Sequence, residues 1–318
     1  MDKVCTVIVT YNGAKWIEKC MQHLFASKYP SSIVVIDNHS TDNTLQLLQP
    51  YIHKIQLVQS NQNLGFGQGN NIGIRIAKDL QADFIFLLNQ DVYVSEDCIG
   101  SLVATLKEHS SFGIISPLQL DSSGAQLDEA FKKYVQKVIP EEDLKKMLQP
   151  GFQPLSFRPI GLRFVNAAAW MISKEAIQKV GLFHPAFIHY GEDNHYSSRL
   201  QYHKLNIGVS GNANVIHDSN EEKPAPEKLL IRKLKTVPLY TLLDIRKPLP
   251  VAWLSGFLKL RQIKKKLAWN YSKKIAGIYA EQKKWFTVKL KEAIQIREET
   301  KKIYEESMYT VSSDITNH

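Results

Sequence analysis

The chain has 318 residues, 44% of them apolar, and a formal net charge of +9. That size and composition fit one large α/β domain plus an appendage, and they exclude a bilayer-spanning chain, because no apolar run reaches the roughly 18 residues required. The charge is uneven: residues 1–220 sum to −1 and residues 221–318 to +10, so the last third is expected to have its own surface or partner.

The N-terminus, Met1-Asp2-Lys3-Val4, enters a strand-like run without a signal-peptide pattern, and Cys5, Cys20 and Cys98 form no Cys-x-x-Cys pair. A cytoplasmic location without a structural zinc site is expected. Val4 to Val9 is a β-branched run that predicts a first strand ending at Thr10-Tyr11-Asn12-Gly13, and Trp16, Cys20 and Leu24 follow at helical spacing. A second strand, Ile33 to Ile36, ends in Asp37-Asn38-His39-Ser40-Thr41-Asp42, where Ser40 or Asp42 can cap the next helix. A third, Ile55 to Val58, leads into the glycine-rich stretch Asn61 to Asn71. Its glycines permit close backbone approach, and the helix that follows points its N-terminus at the same edge. The spacing Gly65-x-Gly67-x-Gly69 is not the G-x-G-x-x-G of a Rossmann dinucleotide site.

The fourth strand is the most distinctive. Phe84-Ile85-Phe86-Leu87-Leu88 is a continuous apolar run ending in Asn89-Gln90-Asp91, which reads as a central parallel strand delivering a carboxylate where α/β sheets bind ligands. Taken alone, Asp91 could equally cap a helix beginning near Glu96. A shorter strand follows at Gly113 to Pro117, so these βα units imply a mostly parallel, doubly wound sheet. Residues 119–160 read as a long polar insertion on the working edge, with a Lys-rich helical segment from about Asp128 to Val138. Leu162 to Ile172 resumes a strand, with Trp170 expected beside the pocket. Then come His189-Tyr190-Gly191-Glu192-Asp193-Asn194-His195 at a helix start, and Asn214 to Asn220 with His217.

Read together, Val9-Thr10-Tyr11-Asn12, Val35 to Asp42, Asn63 to Asn71, Leu87 to Asp91 and Tyr190 to Asp193 resemble, in order, the motifs of the family 2 glycosyltransferases, especially their bacterial rhamnosyltransferase-like branch. The resemblance covers residues 4–220 and implies a GT-A fold. It implies an inverting, metal-dependent hexosyltransferase-type enzyme that moves a sugar from a UDP-, dTDP- or GDP-linked donor to a glycan or lipid-linked acceptor in surface polysaccharide synthesis. It assigns Mn2+ or Mg2+ to Asp91 and His217, the latter otherwise a satisfied strand-end histidine. Asn89 stands where the family has its first acidic residue, which suggests a metal held partly through the diphosphate. Asp193 matches the general base, with Glu192 beside it as the alternative; both also suit a helix N-terminus. His195 departs from an acidic position of the family's motif, which bears on how the acceptor is gripped. Nucleotide-sugar contacts fall to Thr10, Asn12, Asp37, Asn38, Gly67, Asn70, Asn89 and Gln90, although Asn12 could simply shape a turn and Asn70 cap a helix.

The boundaries expected are 1–220 for the glycosyltransferase domain, with 119–160 on the acceptor side, and 221–318 for a basic helical region after a linker at Glu221 to Pro226. Trp253, Phe257, Leu260, Leu267, Tyr271, Ile275 and Ile278 recur at helical steps, with lysines on the other faces. Such a helix fits either an anionic membrane surface, at the inner face of the cell membrane, or packing on the catalytic domain. Nucleic acid is not expected, since no recognition motif accompanies the charge. The rival readings are a sugar-nucleotide pyrophosphorylase, which would need a glycine-rich basic loop after the first strand, and a non-catalytic scaffold.

Overall fold

The structure, a computed structural model, describes residues 1–148, 159–219, 226–267, 273–305 and 315–317. The chain runs β1 (Val4–Thr10), α1 (Ile17–Phe25), β2 (Ser32–Asp37), α2 (Thr44–Leu48), β3 (Gln56–Ser60), α3 (Gly65–Asp79), β4 (Phe84–Asn89) and β5 (Val92–Val94). It continues with α4 (Cys98–Glu108), β6 (Phe112–Leu120), α5 (Glu129–Val135), α6 (Glu141–Met147), β7 (Ile160–Leu162), β8 (Ala169–Ser173), α7 (Lys174–Val180), α8 (Glu192–Tyr202) and β9 (Asn206–His217). Helices α9 (Pro226–Leu242), α10 (Leu249–Leu267), α11 (Lys273–Lys284) and α12 (Leu290–Lys301) follow, and β10 (Ile315–Asn317) closes the order. The expected linker at 221–225 and the part of the apolar stripe at Tyr271 lie outside the described residues.

The sheet order is β10-β3-β2-β1-β4-β8-β6-β9-β5, with β7 also on β9. Strands β3, β2, β1 and β4 are parallel, as the continuous apolar runs predict. The sheet then becomes mixed: β8 is antiparallel to both β4 and β6, while β6 and β9 run parallel. The register places Thr10 beside Asp37 and Val9 beside Asn89, so the C-terminal ends of three strands form one edge.

Alternation divides the sheet's side chains between two cores. Val7, Val34, Ile36, Ile85 and Leu87 meet α3, α5, α7 and α8 on one face. Ile8, Val35, Phe86 and Leu88 meet α1, α2 and α4 on the other. Each such large apolar side chain contributes about 1.5–3 kcal/mol on burial, so removing Leu87 down to Ala would cost about 2–5 kcal/mol. The close seat of α3 on β1 depends on glycine. A Cβ on Gly73 would lie 2.1 Å from a Val7 methyl, and one on Gly69 2.8 Å from a Val9 methyl. Helix-on-sheet packing therefore accounts for part of the glycine run.

The 119–160 segment is more ordered than its polarity suggests. Gln119 and Leu120 finish β6, and Asp128 caps α5 by accepting from the Ala130 and Phe131 amides at 2.9 and 2.8 Å. Phe131, Val135, Ile139 and Leu144 are buried in the first core. Trp170 is fully buried as well, against Phe183 and Tyr196. It is a core residue and not a pocket wall, because β8 lies inside the sheet.

Helices α9 to α12 build a third core from Leu234, Leu239, Leu260, Ile275, Trp285, Phe286 and Ile296, with Trp253, Phe257 and Ile278 packed against it. Phe187, just before α8, belongs to the same cluster. Buried Arg297 ties α12 to the α9–α10 connection by donating to the carbonyls of Leu242 and Asp244 at 2.7 and 2.8 Å. The apolar stripe expected of a basic amphipathic helix thus faces inward wherever it is described. Among the described residues no helix is long and apolar enough to cross a membrane.

Candidate active site

At the shared strand edge the polar groups largely satisfy one another. Thr10 Oγ1 donates to Gln90 Oε1 at 2.6 Å, the Tyr11 amide donates to the same oxygen at 3.0 Å, and Gln90 Nε2 returns to the Tyr11 carbonyl at 3.3 Å. Gln90 thereby splints the end of β1 to the end of β4. Asn12, with a positive φ of 48°, accepts from the Thr41 amide at 2.8 Å, so it does shape a turn. Asn38 donates to Asn63 Oδ1 and the Gly65 carbonyl at 3.0 and 3.2 Å and accepts from the Leu64 amide at 2.8 Å. Its amide is thus committed to the loop before α3. Asn70 donates to the Phe66 carbonyl at 2.9 Å within α3. A Cβ on Gly67 would sit 3.2 Å from Phe183 and 3.6 Å from Glu192, so Gly67 brings α3 close to the start of α8.

Asp37 differs from these neighbours. One oxygen accepts from the Ser40 amide at 3.1 Å, whereas Oδ1 is buried without a hydrogen-bond partner among the described residues. A buried carboxylate oxygen left unpaired is costly, and a donor N–H from a ligand is what would satisfy it.

Asp91 emerges from the β4–β5 turn, with Asn89 preceding it on the strand end. It faces His217, with 3.7 Å between Oδ2 and Nε2, because β5 pairs antiparallel with the end of β9. Asp128 Oδ2 lies 3.8 Å from the other ring nitrogen. Burial works to lower the His217 pKa, but Asp91, Asp128 and Asp218 together hold it above the usual histidine value. Asp91 does not cap a helix here: α4 starts at Cys98, behind Asp97. Among the described residues no group of three or more His, Cys, Asp or Glu is arranged to hold a metal ion. One carboxylate and one imidazole do fit a divalent ion whose remaining ligands are substrate phosphates and water.

The acidic pair opens α8. Tyr190 and Gly191 have positive φ values of 68° and 94°, which turn the chain sharply enough to put Glu192 and Asp193 in the first helical turn. Glu192 is buried, its Oε2 has no partner among the described residues, and burial followed by the Asp193 charge pushes its pKa up to about 8. It carries its proton near neutral pH. Asp193 is only partly buried. Its Oδ1 accepts from the Asn194 amide and side chain at 2.7 and 3.0 Å, and Oδ2 takes no hydrogen bond among the described residues. Burial raises its pKa, against the Asn194 bonds and the Arg232 charge. His195 instead turns inward, 1% exposed, against Phe187 and His184. Burial and Arg199 keep it neutral, so it is no grip for an acceptor.

Two links join the regions. Tyr134 on α5 is within electrostatic reach of both Asp193 and Asp128. A cavity of about 440 Å3 is lined by Tyr11 and Asn63 on the strand-edge side and by Tyr190 and Arg232 on the other, with the Arg232 guanidinium 3.2 Å above the Tyr190 ring centre. An equally large cavity beside Lys3 and Asp83 opens at the opposite ends of the strands, away from every candidate residue. Sequence reasoning missed Arg232 and Tyr134, which lie far along the chain from any motif. It also missed the role of Asn71, whose amide pairs both ways with the Phe183 backbone at 2.9 and 2.8 Å.

The sequence model described as "Glycosyl transferase family 2" matches residues 5–181. The low-salt glycan biosynthesis hexosyltransferase Agl10 of Haloferax volcanii is 25% identical over 225 residues, covering 69% of this chain and 68% of that protein. The N-acetylglucosaminyl-diphospho-decaprenol L-rhamnosyltransferase of Mycobacterium tuberculosis is 23% identical, covering 63% of this chain and 70% of that one. The poly(ribitol-phosphate) β-N-acetylglucosaminyltransferase TarS of Staphylococcus aureus is 28% identical over 118 residues, but the match spans 35% of this chain and only 20% of TarS. Among solved structures, S. aureus TarS 1-349 has a TM-score of 0.55 at 15% identity, covering 94% of this chain and 89% of that chain. Mannosyltransferase PcManGT from Pyrobaculum calidifontis, in complex with GDP-Man and Mn2+, has a TM-score of 0.56 at 15% identity, covering 94% and 84%. At such identities the structural likeness shows the fold, which is that of the GT-A glycosyltransferases.

Proposed function

Because the chain belongs to glycosyl transferase family 2, we propose that it is an inverting hexosyltransferase-type enzyme transferring a sugar from a UDP-, dTDP- or GDP-linked donor. The acceptor is a glycan or a lipid-linked glycan in surface polysaccharide synthesis. The observation that carries the reading is the division of carboxylates: Asp37 has an unpartnered buried oxygen at the strand edge, while Asp193 has a free oxygen at the start of α8. Relatives named for a diphospho-decaprenol and a poly(ribitol-phosphate) acceptor support the acceptor class.

In this reading Asp37 accepts a hydrogen bond from the nucleotide base, in a pocket whose walls Thr10, Asn12 and Gln90 hold rigid. The acceptor hydroxyl attacks the anomeric carbon opposite the diphosphate. Its proton passes to Asp193, and the bonding pair of the C–O bond leaves with the diphosphate. Glu192 cannot take that proton near neutral pH because it already holds one. It serves as a neutral neighbour. Asp91 and His217 would hold Mn2+ or Mg2+, which, when bound, stabilises charge on the leaving diphosphate as a Lewis acid. Residues 1–220 form the catalytic unit and 221–318 the helical region; the separate third core supports that division. With the Trp253 stripe turned inward, contact with an anionic membrane surface falls to exposed Val251, Leu254 and Leu258, which share one face of α10 with Arg261 and Lys265.

The test is a thermal-shift screen of UDP, dTDP and GDP, with and without Mn2+, on the wild type and Asp91→Ala. Bound ligand stabilises by mass action. The wild type should gain stability from one nucleotide with Mn2+, and the variant should lose the metal-dependent part. Equal shifts in both proteins would refute the metal assignment.

A further inference from the structure

A second cavity, of about 360 Å3, opens on the far side of the catalytic helix, between α8, α9, α10 and the loop after β7. Its lining is strongly cationic: Arg163, Arg246, Lys247 and Lys259 face it, against one carboxylate, Asp244. That carboxylate is already engaged. Arg246 grips it with two bonds, Nε to Oδ1 at 2.8 Å and Nη2 to Oδ2 at 2.9 Å, and Lys247 Nζ lies 3.6 Å from Oδ2. Neither Lys259 nor Arg163 has a carboxylate partner among the described residues. The Lys259 ammonium donates to the Thr241 hydroxyl at 3.2 Å and is half-buried. Burial, then the Lys247 charge, lowers its pKa against the opposing pull of Asp244. A half-buried ammonium held this way is electrostatically unfinished, and an anion would complete it.

The cavity also touches the catalytic acid pair. Asn194 lines it and donates to Asp193 Oδ1, and Tyr240, another wall residue, is within electrostatic reach of Asp193. A molecule seated on Lys259 can therefore extend toward the general base. Its walls come from the sheet domain and the basic helical region together, which gives that region a role at the reaction centre.

We propose that this cavity is the acceptor's oxyanion subsite, in which Lys259 and Arg163, framed by the fixed Arg246, hold a phosphate or diphosphate group carried by the acceptor while its hydroxyl reaches Asp193. The assignment to the acceptor rests on the glycosyltransferase reading; the anion pocket itself does not.

The test is isothermal titration calorimetry on the full chain in EDTA, with inorganic pyrophosphate and isopentenyl diphosphate as free and esterified probes. Wild type should bind both. Lys259→Met, and independently Arg163→Gln on an exposed loop that does not endanger the fold, should weaken both by about tenfold. Asp91→Asn should leave them unchanged, and Lys259→Met should still bind nucleotide with Mn2+. Absence of pyrophosphate binding in EDTA, equal affinity in both cation variants, or loss through Asp91→Asn would overturn the pocket. Binding of pyrophosphate but not of the ester would overturn its assignment to the acceptor. A wild type that binds both probes and no nucleotide keeps the anion pocket and overturns the donor reading instead.

Discussion

The strand edge around Thr10, Asp37 and Gln90 and the helix start around Glu192 and Asp193 solve opposite problems. At the edge, side chains close hydrogen bonds on one another: Thr10 with Gln90, Asn12 with Thr41, Asn38 with the loop at Asn63 to Gly65. Asp37 Oδ1 is the exception. At the helix start, two carboxyl groups sit side by side with raised pKa values, and Glu192 Oε2 and both ring nitrogens of His195 are buried without partners among the described residues. A rigid edge suits recognition of a fixed ligand. A region poor in hydrogen bonds to its acids keeps them basic enough to take protons.

The comparison breaks most visibly at Asp37. Replacing it with Ala should weaken nucleotide binding by about 10- to 100-fold, the scale of a hydrogen bond to a charged group, while the fold survives. Titration of the nucleotide with Mn2+ measures this, and unchanged affinity would move base recognition elsewhere.

A smaller effect sharpens the other side. Glu192 has a folded pKa of about 8 against an ordinary value of 4.5. The native state therefore keeps a proton that the unfolded chain loses as pH rises. The stability this contributes is complete below about pH 4.5 and is lost as pH climbs through about 8. Glu192→Gln should flatten the decline of the melting temperature between about pH 5 and 8. Parallel wild-type and variant profiles would contradict the raised pKa.

The smallest effect concerns the appendage. Leu254→Asp with Leu258→Asp should reduce binding to anionic vesicles severalfold at low salt, where surface charge is least screened, with the catalytic regions untouched. Equal cosedimentation of variant and wild type would leave α10 a packing element.

Much of the strand edge was legible in the sequence because a buried parallel strand leaves a continuous apolar run, and its end is marked by the first polar residues. Asp37 and Asp91 were found that way. The reversal of β8 was not legible, since Ala169-Trp170-Met171-Ile172 is equally apolar read in either direction, and the same blindness cast Trp170 as a pocket residue. Asn38 carried a motif-level expectation of ligand contact, yet its hydrogen bonds close on a loop 25 or more residues later, which no local pattern reports. Similarly, the Trp253 to Ile278 stripe announces an apolar face without naming what covers it. Phe187 and the other tail helices do. Arg232, Tyr134 and Tyr240 converge on Asp193 from three distant segments, so only the fold could assemble them.

The division of labour between edge and helix start is tested most directly at the base. Steady-state turnover and donor affinity should be measured for Asp193→Asn and Glu192→Gln in parallel. Asp193→Asn keeps size and most hydrogen bonds, so turnover should fall by roughly 10²- to 10⁴-fold with donor affinity nearly unchanged, as for a group acting only in the transition state. Glu192→Gln should retain most turnover, because the wild-type side chain is already neutral. An Asp193→Asn enzyme that keeps most of its turnover, with Glu192→Gln the one that fails, would contradict the account.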